Sequence, residues 1–417
     1  MGDSPRKGEW APMPAAPNSG VRGRGWFNAV VASWFASFGM QSVLFSWLIV
    51  GELRASAEWV GFAQSASALP QLVLLIVGGV VADRIEPRRL LTGLHVVAVL
   101  PPISLAIVIL VGQLSIASVI AYGVAIGVIN AFLMPARDSL LSRVAGTMML
   151  QTVTLMTVVQ FSAQITGTLA AGVIEWVGTP TILGLQSVVL LSGVWFASRL
   201  PGVPVKSVHL GAQRSTDSRW HQIMAGVREV AGDPALRSMG ILVACVGLFF
   251  IGPFVVIFPI LVRDVYEGGA QALAIVLMLF PLGTIIGSFT LRRRSVIRLK
   301  IRTTMIALMI ASILLGWIGL QWSWGWFLAL TLCWGLTGSV FINLSRAVFQ
   351  EKATEANLAR VLSIYQLGLI AGAPIGSLIA GLMSGAFGPG VAISLGGGTM
   401  FTVVALLWLF TDTASIE

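Results

Sequence analysis

The sequence predicts an all-α integral membrane protein of twelve transmembrane helices in two pseudo-symmetric six-helix bundles. Three observations carry that expectation: 56% of residues are hydrophobic and only 10% charged, the apolar residues gather in blocks of spanning length, and short segments recur 209 positions apart, as Phe132 and Phe341 do. An ordinary soluble domain carries about 25% charged residues. A hydrocarbon core of about 30 Å takes roughly 20 helical residues to cross, and a helix satisfies its own backbone in lipid. The blocks are continuous, unlike the ten-residue alternating segments of a membrane β-barrel.

Residues 1–25 are rich in Pro and Gly, carry Arg6, Lys7, Arg22 and Arg24, and precede the first apolar block. They read as a disordered cytoplasmic tail, not a cleavable signal. Met1-Gly2 opens a myristoylation pattern, but Arg6 stands where Ser or Thr is required. The spans then fall at 26–50, 59–82, 90–112, 116–135, 150–177, 180–198, 238–262, 270–291, 303–319, 324–345, 358–384 and 388–410. This division gives an N-terminal bundle over 26–198, a linker over 199–237, a C-terminal bundle over 238–410 and a cytoplasmic tail over 411–417.

The positive charge tests the span count independently, because Lys and Arg collect in the cytoplasmic segments of short-looped membrane proteins. With twelve spans and both termini inside, 24 of the 26 basic residues fall on the inner side, and Arg54 and Arg263 are the exceptions. One missed span would transfer the later clusters to the wrong side. The net charge of +9 is therefore topological and does not point to nucleic acid. In the linker, Trp220, Ile223, Val227 and Val230 recur at helical spacing, which predicts an amphipathic helix on the inner leaflet. Cys245 and Cys333 both lie in apolar blocks without metal-ligand spacing and read as small packing residues.

The repeat is visible in three places. FLMPARDSL around Phe132 returns as FINLSRAVF around Phe341, GTLAAG (167–172) returns as GSLIAG (376–381), and, one residue off that offset, Gly79-x-x-x-Asp83-Arg84 corresponds to Gly287-x-x-x-Leu291-Arg292. Matches in order at a nearly constant offset argue for two related halves.

The sharpest motif joins spans 2 and 3: Gly78-Gly79-Val-Val-Ala-Asp83-Arg84-Ile-Glu86-Pro87-Arg88-Arg89. Gly79 permits close helix approach. Asp83 can face the N-terminus of a neighbouring helix, where the macrodipole favours an anion. The arginines can pair with a carboxylate such as Asp138. This string resembles the loop motif of the major facilitator superfamily, G-x-L-A-D-R-x-G-R-R. The DRxxxRR form, the doubled six-span unit and Pro135-Ala136-Arg137 are most similar to the branch that contains siderophore and macrolide exporters. The resemblance covers the chain outside its N-terminal tail.

That resemblance implies alternating access by two rocking bundles. Asp83 would dock near Asn357 to Arg360 and, with Gly79, Arg84, Arg88, Arg89 and Asp138, latch the outward-open state. Pro87 aligns with the first arginine of the family's pair and Glu86 replaces the loop glycine, which puts the charge relay in question. The Gly-Pro pair of antiporter relatives is replaced in span 5 by Gly167-Thr168, although Gly372-Ala-Pro374 occurs in span 11.

Substrate in secondary transporters sits near the midplane between repeats. The resemblance implies that spans 1, 4, 7 and 10 line the cavity, so Gln41, Asn130 and Asn343 are the leading cavity candidates, followed by Gln160, Gln164 and Gln366. Ser33 and Ser37 share a face with Gln41, Gln64, Ser67 and Gln71 share one in span 2, and Phe250, Phe254 and Phe258 form a stripe on span 7. The competing role for the polar residues is interhelical hydrogen bonding, and for the stripe, packing. No Asp or Glu occupies the middle of a span, where a carboxylate would mark a proton or ion path. His95 is a lone histidine in span 3, read as packed or interfacial.

No nucleotide-binding loop of the GxxxxGK[ST] type occurs, so ATP is not expected as the direct energy source, and no cofactor or metal is implied. Spans without clustered His, Asp, Glu or Cys argue against an enzyme. The expectation is a monomeric secondary transporter in the cytoplasmic membrane, exporting an amphipathic small molecule, with inward proton flow implied by resemblance alone. The alternatives are a lipid or lysolipid transporter and a non-transporting receptor.

Overall fold

The computed structural model describes residues 19–145, 149–200, 219–292, 299–354 and 357–410. The expected C-terminal tail, the N-terminal tail up to Asn18 and the linker up to Ser218 lie outside these residues, as do the side chains of Asp83 and Arg143. The N-terminal half begins with α1 (Ser19–Trp47), which continues through a π-helical turn, Leu48–Glu52. There follow α2 (Ala57–Arg84), α3 (Pro87–Ala98), α4 (Leu100–Leu110), α5 (Ile116–Ala145), α6 (Met149–Ala171), the short α7 (Ile174–Val177) and α8 (Thr179–Ser198). The linker helix α9 spans Arg219–Gly232. The C-terminal half opens with α10 (Pro234–Val246), a second π-helical turn, Gly247–Ile251, and α11 (Gly252–Asp264). It is completed by α12 (Ala270–Arg292), α13 (Lys300–Gly319), α14 (Trp324–Lys352), α15 (Leu358–Phe387) and α16 (Pro389–Phe410).

Eleven helical stretches among the described residues are long and apolar enough to cross a membrane, counting α3 with α4 and α10 with α11 as single stretches. The twelfth position belongs to α2, whose 28 residues are ample in length. A 28-residue helix is about 42 Å long.

Several expected boundaries need correction. Residues 19–25, read as tail, are the first turns of α1. Span 3 is broken at Val99, because Pro101 and Pro102 lack the amide hydrogens that would continue the ladder. Span 4 runs on to Ala145 and span 10 to Lys352, both past the apolar block. Span 7 begins at Pro234, where Asp233 Oδ1 accepts from the amides of Ala235 (2.8 Å) and Leu236 (2.9 Å) as an N-cap. Pro87 does not interrupt a helix. It is the first residue of α3, where a proline is tolerated because that amide has no helical acceptor.

The described ends divide the protein into two faces. One, here the linker face, carries α9 and the ends of α2, α5, α8, α12 and α14; the opposite one is the far face. The helix α9 packs against α10 and α15, with Val230 buried and Glu229 Oε1 accepting from Thr354 N at 2.8 Å. That amide holds the Glu229 carboxyl below its usual range.

The 209-residue offset carries α5 onto α14, α6 onto α15 and α8 onto α16 to within a few residues at their starts. It also explains what the repeated segments do. A Cβ at Gly167 would overlap the Ala36 carbonyl oxygen on α1, and one at its repeat partner Gly376 would overlap that of Leu248 in the second π turn. Helices in lipid associate through close packing rather than a hydrophobic drive, so bare glycine surfaces set their spacing. The approach expected at Gly79 is made instead by Gly78, which lies against the Ala131 carbonyl, while Gly79 faces open space. Gly287 packs in the same way against Leu336 and Ser339. Pairing Gly78 with Gly287 removes the one-residue slip and makes the offset constant.

The pattern yields two tests. In detergent, Gly78→Ala should lower the unfolding temperature, at a cost of about 1–3 kcal/mol for overpacking, while Gly79→Ala should leave it unchanged. Equal effects would contradict this assignment of the contact. A carboxyl depressed in the folded state contributes stability present above its unfolded pKa and lost as pH falls through its folded one. Corrected for the pH dependence of free-amide exchange, protection of the α9 amides should therefore hold through neutral pH and fall only below the ordinary carboxylate value of 4.5, and Glu229→Gln should flatten that fall.

Candidate functional site

At the edges of the two halves α2 meets α15 and α6 meets α12, whereas α5 and α14 have no comparable packing against the opposite half. The gap between α5 and α14 is here termed the vestibule, and toward the far face the helices that flank it are in contact. Gly381 on α15 lies against Gly61 and the Ala57 carbonyl on α2, and Gly172 just past α6 lies against Ala274 and Gln271 on α12. These two glycines are related by the 209-residue offset. In each six-residue repeat, then, the first glycine packs within its own half and the last touches the other half.

Polar groups complete the seal. Arg263 Nη1 donates across the halves to the carbonyls of Val50 (2.9 Å) and Ala55 (3.1 Å), while its Nη2 pairs with Asp264 Oδ2 at 2.8 Å. Gln64 Nε2 donates to the Val255 carbonyl at 3.1 Å and to Ser46 Oγ at 3.3 Å. Glu175 Oε1 accepts from Ala270 N at 3.2 Å, placing a carboxylate at the N-terminus of α12, where the helix dipole favours it. A polar cleft of about 690 Å³, bordered by Arg54, Glu175, Arg263, Asp264 and Glu267, lies over this seal. These cross-half hydrogen bonds lie toward the far face.

The expected latch residues sit at the linker-face end. Among those whose side chains are described, the bonds run within the N-terminal half. Arg88 donates to the Ser198 carbonyl, Arg89 pairs with Glu86 at 3.1 Å, and Asp138 accepts from Arg137 at 2.8 Å. Arg84 is exposed at the end of α2.

The cavity candidates do not converge on one point. Asn343 is exposed on α14 but bonded to Ser288 Oγ (3.0 Å) and the Ser339 carbonyl (2.7 Å). Gln160 accepts from Arg137 Nη1 at 3.4 Å, and that guanidinium lies 5.5 Å from the Phe35 ring centroid. Asn130 is buried on α5, and its Oδ1 has no partner. Gln41 and Gln164 are half-buried and Gln366 is exposed. Ser33 and Ser37, which share a helical face with Gln41, turn into the N-terminal half. Ser37 accepts from the fully buried Gln186 (3.2 Å), which in turn accepts from Tyr122 Oη (2.9 Å). His95 is buried beside Trp34, its Nδ1 2.8 Å from the Leu91 carbonyl. In the phenylalanine stripe, Phe250, Phe254 and Phe258 all lie against Trp334.

Sequence reasoning missed the seal, although a signal existed. Arg54 and Arg263, the two basic residues on the wrong side of the charge division, both border the far-face cleft.

Two helical bundles around a vestibule sealed at one end define a membrane transporter, not an enzyme. The chain belongs to the Major Facilitator Superfamily, whose family model matches residues 28–356. Its fold is similar to that of the nucleoside transporter NupG (TM-score 0.71, 12% identity, 94% of this chain and 99% of that one). It is also similar to a D-xylose-proton symporter (0.72, 13%, 95% and 98%). A third similar structure is a bacterial homologue of the human lysosomal transporter Spinster, solved inward-facing and unoccupied (0.66, 14%, 97% and 97%). No curated protein matches the chain by sequence.

Arg263 gives a test of the seal. In a chain with Cys245 and Cys333 replaced by Ser, Ala274→Cys should react slowly with an impermeant maleimide from the far side. Adding Arg263→Gln should speed that reaction, by roughly tenfold for each 1.4 kcal/mol of seal removed. An unchanged rate would remove Arg263 from the seal.

Proposed function

We propose that this protein is a secondary transporter of the exporter branch suggested by its Asp83-Arg84 motif, with the linker face in the cytoplasm. In that reading it carries an amphipathic small molecule outward across the inner membrane by alternating access. The observation that carries the proposal is the one-sided seal. With the halves tied at the far face, the vestibule is reached from the linker face, the side from which an exporter must load. The charge division supports the orientation, because Lys and Arg mark the cytoplasmic side. The absence of a carboxylate from the middle of any span, together with amides along the candidate positions, favours a substrate that needs no counter-charge at the midplane.

In the opposite state the linker face must close. Gly79, Asp83, Arg84, Arg88, Arg89 and Asp138 are proposed to form the latch there, with Asp83 meeting the start of α15. Their bonds within the N-terminal half in this state fit a latch that is disengaged while the far seal is made. Gln41, Asn130, Asn343, Gln160, Gln164 and Gln366 remain the proposed polar lining. Inward proton flow is the proposed driving force.

Cells with and without the gene should differ in resistance to, or export of, members of a broad compound panel, and a protonophore should abolish the difference. Protonophore-insensitive export would remove proton coupling, and no difference for any compound would remove export. Asp83→Asn should reduce transport while expression and unfolding temperature stay at parent values. Parent-level transport by that variant would sink the latch.

A further inference from the structure

The wall of the C-terminal half contains a second cavity, of about 140 Å³ and almost wholly apolar. Its sides are the rings of Phe250, Phe280, Trp334 and Phe341, with Phe280 and Trp334 only 4.6 Å apart between centroids. Its floor is Leu308 and Ala311 of α13, both buried, on a helix that packs within its own half against α14 and α16. Its rim includes Ile251 of the π turn, Phe280 of α12 and Leu369 of α15, all partly exposed. The helices α12 and α15 also meet the opposite half, so this side of the pocket is the one nearest the cross-half contacts.

Two local features keep it open. The π turn inserts an extra residue into the first span of this half, presenting both Phe250 and Ile251 to the pocket, and π turns are frequent at functional sites. Gly338 faces the Phe280 ring so closely that a Cβ would press on its edge at 2.9 and 3.0 Å.

The repeat makes the pocket more pointed. Subtracting 209 takes Phe280 to Gln71, Leu369 to Gln160 and Trp334 to Ala125. At these three positions the C-terminal half has two rings and a leucine where the N-terminal half has two amides and a small residue, while the ring of Phe341 is kept at Phe132. The two halves thus differ in polarity at related positions.

We propose that this pocket binds an aromatic ring, or an apolar group of similar size, belonging to the transported molecule, whose polar remainder lies toward the amide-bearing wall. An apolar cavity of about 150 Å³ lined by aliphatic and aromatic side chains stays dry and binds benzene, so the size and lining suit a single ring. This specificity rests on the transporter reading above, but the pocket can be tested apart from it.

Crystals of the full chain soaked in iodobenzene should show an anomalous iodine peak in the pocket beside Phe280 and Trp334, and crystals of Ala311→Phe, which fills the floor, should lose it. No peak in the parent pocket, or a peak retained there in the filled variant, overturns the proposal. In cells, the milder Ala311→Leu should lose export of ring-bearing compounds and keep export of those without a ring; equal loss of both overturns the substrate assignment. If the parent exports nothing, the transporter reading fails, while the iodobenzene result still decides the pocket.

Discussion

Glycine surfaces pressed against neighbouring backbone set the spacing on which the rest of this structure depends. Lipid is as apolar as a leucine side chain, so helices gain little by merely burying apolar area against each other and rely on close contact instead. Gly167 against Ala36 binds α6 to α1, and Gly376 against Leu248 binds α15 to the second π turn. Those contacts are backed along the same helices, for example by Thr168 Oγ1 donating to the Gly39 carbonyl at 3.3 Å. The last glycines of the same segments, Gly172 and Gly381, meet the opposite half instead. One short motif therefore serves both the packing within each bundle and the contact between them, which in the proposed alternating access would have to separate.

The polar part of the seal is modest enough to break. Hydrogen bonds to charged groups contribute about 1.5–3 kcal/mol each, and states that interconvert differ by only a few kcal/mol. Arg263 makes two such bonds across the halves while its charge stays paired with Asp264. The guanidinium thus keeps a counter-charge within its own half whichever way the far face moves. Glu175 is held by one backbone amide at the start of α12. A few directed bonds, and not a buried ion-pair network, separate the sealed from the open far face.

Spans, count and repeat were legible because length and composition determine what can cross a bilayer, and a repeated scaffold leaves repeated glycines. The interruptions were harder. Pro101-Pro102 announced the break in span 3, but nothing in Leu48–Glu52 or Gly247–Ile251 marks a π turn, because one extra residue per turn leaves hydropathy unchanged. Helical spacing placed Ser33, Ser37 and Gln41 on one face without telling which neighbour that face meets. Ser37 proved to be bonded to Gln186, and Asn343 to Ser288. Partners far apart in sequence decide whether an intramembrane polar group is lining or lock. The seal was legible in one respect only, since two arginines contradicted the charge division.

The repeat duplicates the scaffold and not the lining. Glycines at 78, 167 and 172 keep their counterparts at 287, 376 and 381, because losing one would move a helix. Other positions are free of that constraint, and there the halves diverge: Gln71 against Phe280, Gln160 against Leu369, Asp138 against Ala347. In the N-terminal half Arg137 is neutralised by Asp138 and held by Gln160. In the C-terminal half its counterpart Arg346 has neither residue beside it in the repeat. A symmetric frame with an asymmetric lining has a physical consequence. In the proposed reading, a molecule between the halves would meet amides on one side and rings on the other, so polarity would set its orientation before either face closed.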